Sequence, residues 1–181
     1  IPSIPEPISD YYMALSNIKN DRSAKFSDVA YEIEEDVLKG EVKFDVRKKA
    51  LTYQGKTIEH SFEMNDVSSM VSEISPIVAY LKYIVKQGNN RIKATMNAAS
   101  IIFIEEPEAH LHPLNQIKLM KSFTRLAKSN VKLVMASHSN YIFNELNNRV
   151  LAGELGKSTY SPILMKCENE ESNTYYMDMD E

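Results

Sequence analysis

The sequence predicts an α/β fold of mainly parallel strands and helices, with a small antiparallel β meander and a C-terminal hairpin. Three observations carry this expectation. Two short apolar runs, Ser100-Ile101-Ile102-Phe103-Ile104 and Val131-Lys132-Leu133-Val134-Met135-Ala136, have the length and composition of strands buried on both faces. Between them, Ile117, Met120, Phe123 and Ala127 recur at helical spacing, which makes a strand, helix, strand unit with a right-handed crossover. From Glu41 the period changes to two, and Val42, Phe44 and Val46 alternate with Lys43, Asp45 and Arg47 as in a half-buried strand.

The elements follow in order. Residues 1–40 read as a helical lead-in: Tyr12, Leu15 and Ile18 precede a polar break, and Phe26, Val29 or Ala30, Ile33 and Val37 follow it. Ser23 or Ser27 caps the second helix, Gly40 stops it, and Glu34, Glu35 and Asp36 form its wet face. Residues 41–65 are the meander, with Arg47-Lys48-Lys49 at a solvated hairpin tip and Gly55 in a turn. Residues 66–156 open on a serine-rich turn. Ile74, Ile77, Val78, Leu81, Ile84 and Val85 then mark one helix face ending near Gly88, with Pro76 expected in the first turn of that helix. After the two apolar strands and the intervening helix, which has Pro113 in its first turn, a further helix runs from Asn140 to Leu151 and closes at Gly153. Residues 157–181 form the hairpin, and the whole is one structural domain.

Composition bounds the function. With 181 residues, 43% of them apolar and 25% charged, the chain can bury a core of its own. A net charge of −4 lacks the footprint of a dedicated nucleic-acid binder. No apolar stretch approaches the roughly 20 residues of a bilayer crossing, and Ile1-Pro2-Ser3-Ile4-Pro5 lacks the basic start of a signal peptide. The lone Cys167 forms no intramolecular disulfide, so a cytoplasmic location without membrane attachment is expected.

In open α/β sheets ligands sit beyond the carboxyl ends of the strands. The first apolar run ends in Glu105-Glu106-Pro107-Glu108 and the second in Ser137-His138-Ser139. Adjacent carboxylates after an apolar run are costly to desolvate unless a cation compensates them. A Mg²⁺ ion shared with nucleotide phosphates supplies such compensation, with Glu105 as metal ligand. Glu106 can then polarise a water for attack on a γ-phosphate, and His138 can donate a hydrogen bond to the same phosphate.

Ile101 to Pro113, reading IIFIEEPEAHLHP, resembles the Walker B and D-loop segment of ABC-type ATPase heads in the branch that includes RecF-like and OLD (overcoming lysogenization defect) proteins. Ala136-Ser137-His138-Ser139 resembles the switch-histidine loop, and Val67-Ser68-Ser69-Met70-Val71-Ser72-Glu73 resembles the signature, with Met70 where the family has Gly. The resemblance covers roughly residues 26 to 155 and implies a partial P-loop NTPase core. It implies ATP and Mg²⁺ as cofactors, Glu106 and His138 as catalytic residues, and Ser68 and Ser69 as contacts to a neighbour's nucleotide. Their alternative role is helix capping.

The family's phosphate-binding loop, GxxxxGK[ST], is absent from this sequence, and Gly55-Lys56-Thr57 reads as a hairpin turn. The chain alone is therefore expected to be inactive. The implied partners are a missing N-terminal half carrying Walker A and a second head, forming a homodimer around sandwiched nucleotide. Relatives in this branch act on DNA or in phage defence, so DNA is a further expected partner. Two alternatives stay open: a non-catalytic ATPase-fold dimerisation module, and a metal-dependent nuclease using Glu105, Glu106 and Glu108. His110 and His112 fall in the D-loop rather than in a metal site.

Overall fold

A computed structural model describes residues 26–84, 100–129, 131–168 and 171–177. The expected helix over Tyr12, Leu15 and Ile18, the Ser23 cap and the helix end at Val85 to Gly88 lie outside the described residues.

Helix α1 (Ser27–Ile33) widens into a π-helical turn, Glu34–Leu38, and ends at Lys39, whose φ of 56° is left-handed. Ser27 is the first helical residue, and Phe26 holds the cap position. Strand β1 (Gly40–Asp45) pairs antiparallel with β2 (Ala50–Gly55), which pairs with the short β3 (Phe62–Glu63). Gly40 sits under the Tyr53 ring, and the Tyr53 hydroxyl donates to the Leu38 carbonyl at 2.7 Å, so a Cβ at position 40 would run into a pinned ring.

Helix α2 (Ser69–Ala79) also ends in a π-helical turn, Tyr80–Ile84. Pro76 lies inside α2 rather than in its first turn, so the helix starts six residues earlier than Pro76 suggested. Strands β4 (Ser100–Glu105) and β5 (Val131–Ala136) pair in parallel from Ser100 opposite Val131 to Glu105 opposite Ala136, and α3 (Pro113–Lys128) connects them. Pro113 occupies the first turn of α3, where its missing N–H costs no helical bond. Helix α4 (Asn140–Leu151) follows, then the hairpin of β6 (Ile163–Glu168) and β7 (Glu171–Tyr176). The mixed α/β fold with one parallel pair and separate antiparallel strands is the expected class.

The core joins the helices to one face of β4 and β5. Ile33, Ile74, Leu119, Phe123 and Leu126 are fully buried, and Ile102, Ile104, Leu133 and Met135 pack against the same cluster. The opposite sheet face is open. Ile101, Phe103 and Val134 are 54%, 76% and 49% exposed, so the expectation of burial on both faces is corrected. Among the described residues, helices cover one side of this sheet and nothing covers the other.

Glu34 is a second correction. It is buried rather than wet, and its carboxylate takes the Lys82 ammonium at 2.9 Å and the Val42 N–H at 2.6 Å. The ammonium also donates to the Val42 carbonyl at 3.0 Å and lies over the Tyr31 ring, 4.9 Å from its centroid. Burial pushes the Glu34 carboxyl up, against the pull of Lys82 and the Val42 N–H. Burial opposes the Lys82 charge, but the hydrogen bond and charge of Glu34 outweigh it and hold the ammonium above its ordinary range. This pair ties the two π-helical turns together, and so ties the end of α2 to α1.

Candidate functional site

The site begins where β4 and β5 end side by side. Glu105 closes β4, and the chain then turns sharply: Glu106 adopts φ 44°, a left-handed conformation that costs a side chain about 1–2 kcal/mol. The Glu106 N–H donates to the Ala136 carbonyl at 2.8 Å, which continues the strand pairing one step past β4. Its own carbonyl accepts from Ala109 N–H at 2.9 Å, winding residues 107–110 into a tight turn anchored by buried Pro107 and Leu111. His110 shares the left-handed geometry, with φ 58°.

β5 ends in Ser137, His138 and Ser139. The His138 ring is 90% exposed, and its Nε2 stands 3.8 Å from Glu106 Oε1. The structure thus brings Glu106 and His138 together at one sheet edge, with Glu105 next in sequence. The two carboxylates are exposed among the described residues, not desolvated as the apolar run implied.

Glu108, weighed from the sequence as a nuclease carboxylate and beside His110 and His112 as a metal ligand, turns toward β5. Its Oε1 accepts from Ser137 Oγ at 2.8 Å and from the His138 N–H at 2.6 Å. Ser137 Oγ accepts from Ser139 N–H at 3.0 Å, and Ser139 Oγ donates to Gln116 Oε1 while capping α4. Gln116 Nε2 donates to the Leu111 carbonyl at 3.0 Å, closing a ring of hydrogen bonds back to the turn after β4. No motif marks Gln116, and no sequence signal marks the Glu108 contacts, whose partners lie 29 and 30 residues away.

Ser68 and Ser69 stand at the start of α2. Ser68 holds the cap position without a side-chain capping bond, so the capping role is not seen. The Asn115 amide donates to Met70 Sδ at 3.6 Å, which seats the first turn of α2 against that of α3. Among the described residues no hydrogen bond or ion pair joins Ser68 or Ser69 to Glu105, Glu106 or His138. His112 caps α3, its Nδ1 accepting from Leu114 N–H at 3.3 Å. Lys56 of the Gly55-Lys56-Thr57 turn pairs with Glu35.

Among the described residues no three His, Cys, Asp or Glu side chains converge as a self-sufficient metal site. Glu105 and Glu106 offer hard oxygen donors at an accessible edge. That donor set fits Mg²⁺ held by one or two carboxylates together with waters and phosphate oxygens.

Comparisons with known proteins bear on the family and the fold. The profile of the AAA ATPase domain matches residues 2–143. The cell division ATP-binding proteins FtsE of two Streptococcus pneumoniae strains are each 31% identical over 65 residues, covering 36% of this chain and 28% of theirs. The chain therefore spans about a quarter of the length of these curated relatives. A solved structure titled "Structural biochemistry of ATP-driven dimerization and DNA stimulated activation of SMC ATPases" aligns over 96% of this chain and 89% of that one, with a TM-score of 0.54 at 10% identity. That likeness is one of fold. No helix among the described residues is long and apolar enough to cross a membrane. With its profile match running over residues 2–143 and its strand ends arranged as described, the chain belongs to the AAA ATPase domain family.

Proposed function

We propose that this chain is the Walker B lobe of an ABC-type ATP hydrolase, in the RecF- and OLD-like branch, which turns over ATP when joined to a half bearing Walker A. The observation that carries the reading is the 3.8 Å approach of Glu106 Oε1 to His138 Nε2 at the ends of adjacent parallel strands. Phosphoryl transfer depends on positioning and charge stabilisation more than on covalent chemistry, and these two groups can flank one attacking water and one phosphate.

Glu106 accepts a hydrogen bond from the attacking water and fixes its line of approach. His138 donates from Nε2 to the γ-phosphate, and Glu105 holds the cation. Mg²⁺, when bound with ATP, neutralises the phosphate charge. The left-handed backbone at Glu106 aims its carboxylate across the strand ends toward β5. Ser68 and Ser69 face the nucleotide of a second head in a homodimer, and the enzyme serves a DNA-linked process such as repair or phage defence. Among the described residues Ile101, Phe103 and Val134 are uncovered, and apolar surface of this kind gains by being covered, which supports a further half packing there.

The test is ATP turnover after a Walker A half is supplied. Turnover appears, and Glu106→Gln lowers kcat by about 10²–10⁴-fold while nucleotide binding persists. Full turnover in Glu106→Gln would refute the catalytic assignment. A non-catalytic dimerisation module would show no turnover in any assembly. A nuclease would cut DNA with metal and without nucleotide.

A further inference from the structure

We infer that Glu108 is a positioning residue for the switch histidine: its carboxylate holds the loop after β5 so that His138 meets Glu106. This rests on the ATPase reading above and extends it to a residue outside the reacting set.

The His138 ring is 90% exposed, so no packing orients it. Its place is set by its backbone. That backbone is held from the other loop by Glu108 Oε1, which takes the His138 N–H at 2.6 Å and Ser137 Oγ at 2.8 Å. Two donors converging on one oxygen fix direction as well as distance. Ser139 and Gln116 close the far side of the ring, so the loop can shift only if the Glu108 contacts break.

Glu108 is itself rigidly placed. It lies in the turn wound on the Glu106 carbonyl, and its own carbonyl accepts from Leu111 N–H at 2.9 Å. A short backbone path therefore joins the carboxylate proposed to polarise water to the carboxylate that holds its histidine partner. Among the described residues Glu108 Oε2 is buried without a hydrogen-bond partner. Positioning needs only Oε1.

The experiment compares Glu108→Ala with Glu108→Gln, whose amide oxygen keeps both acceptor contacts. In the 181-residue chain, amide hydrogen exchange at His138 speeds up about tenfold or more in Glu108→Ala and stays near wild type in Glu108→Gln, with unchanged far-UV circular dichroism in both. In the assembled ATPase, Glu108→Ala lowers kcat by about 10- to 100-fold with KM within about twofold, and Glu108→Gln restores most of it. Unchanged exchange at His138 in Glu108→Ala overturns the positioning role. Faster exchange with unchanged kcat overturns its catalytic consequence. If the wild-type assembly hydrolyses no ATP, the ATPase reading fails, while the exchange result, which needs no nucleotide, still decides whether Glu108 holds the loop. Ser137→Ala removes one of the two contacts and gives a smaller exchange change in the same direction.

Discussion

Replacing Lys82 with Met removes the ammonium that pairs with Glu34 and leaves a side chain of similar length in the same space. Glu34 is then left with the Val42 N–H at 2.6 Å. With its side chain only 4% exposed, it takes a proton rather than stay charged and unpaired. A carboxyl that ordinarily titrates at 4.5 must be protonated across two and a half pH units at pH 7. At 1.36 kcal/mol per unit this is at most about 3.4 kcal/mol, since burial already raises the wild-type carboxyl and part of the cost is common to both proteins. At pH 5 the same step costs about 0.7 kcal/mol. The loss measured by urea unfolding should therefore fall from as much as about 3.4 kcal/mol at pH 7 to about 0.7 kcal/mol or less at pH 5. Glu34→Gln with Lys82→Met should recover most of it, because no buried charge remains. The wild type carries a matching alkaline limb. The Lys82 pKa is raised, so its contribution is complete below its ordinary 10.5 and is lost as pH climbs through the folded value; Lys82→Met lacks this limb. A loss independent of pH, or one below about 1 kcal/mol at pH 7, would show that the pair is not the linkage described.

Two further substitutions read the backbone directly. Glu106→Gly relieves the left-handed strain at φ 44° and gives back part of it as unfolded-chain entropy, so thermal unfolding should show a net gain of about 0.5–1 kcal/mol. The same variant should turn over no ATP in the assembled enzyme, and a loss of stability would contradict the strain. Gly40→Ala should cost about 1–3 kcal/mol in urea unfolding, because the Tyr53 ring must leave its bond to the Leu38 carbonyl; a neutral effect would mean that the ring moves freely.

What was legible in the sequence was local. The β4, α3, β5 unit and the bounds of α4 follow from period, length and caps, which act over a few residues. The burial of Glu34 was not legible, since its partner Lys82 is 48 residues away and three successive acids read as a solvent face. Apolar content showed that β4 could be buried on both sides, but whether it is depends on which elements reach it. The nearness of Glu106 and His138 was readable because parallel pairing puts two strand ends at one edge. The contacts of Glu108 with Ser137 and His138 were hidden because its backbone turn reverses direction first, and no spacing rule reports a side chain that folds back across a left-handed residue.

The parallel pair β4 and β5 has one further implication. Among the described residues each strand has a single neighbour, so the far side of each carries a row of amide and carbonyl groups open to another extended chain. With Ile101, Phe103 and Val134 on the adjoining face, such a rim is the kind of edge to which a further strand can add. A complementary lobe that adds a strand at this rim would extend the sheet and satisfy those groups at once.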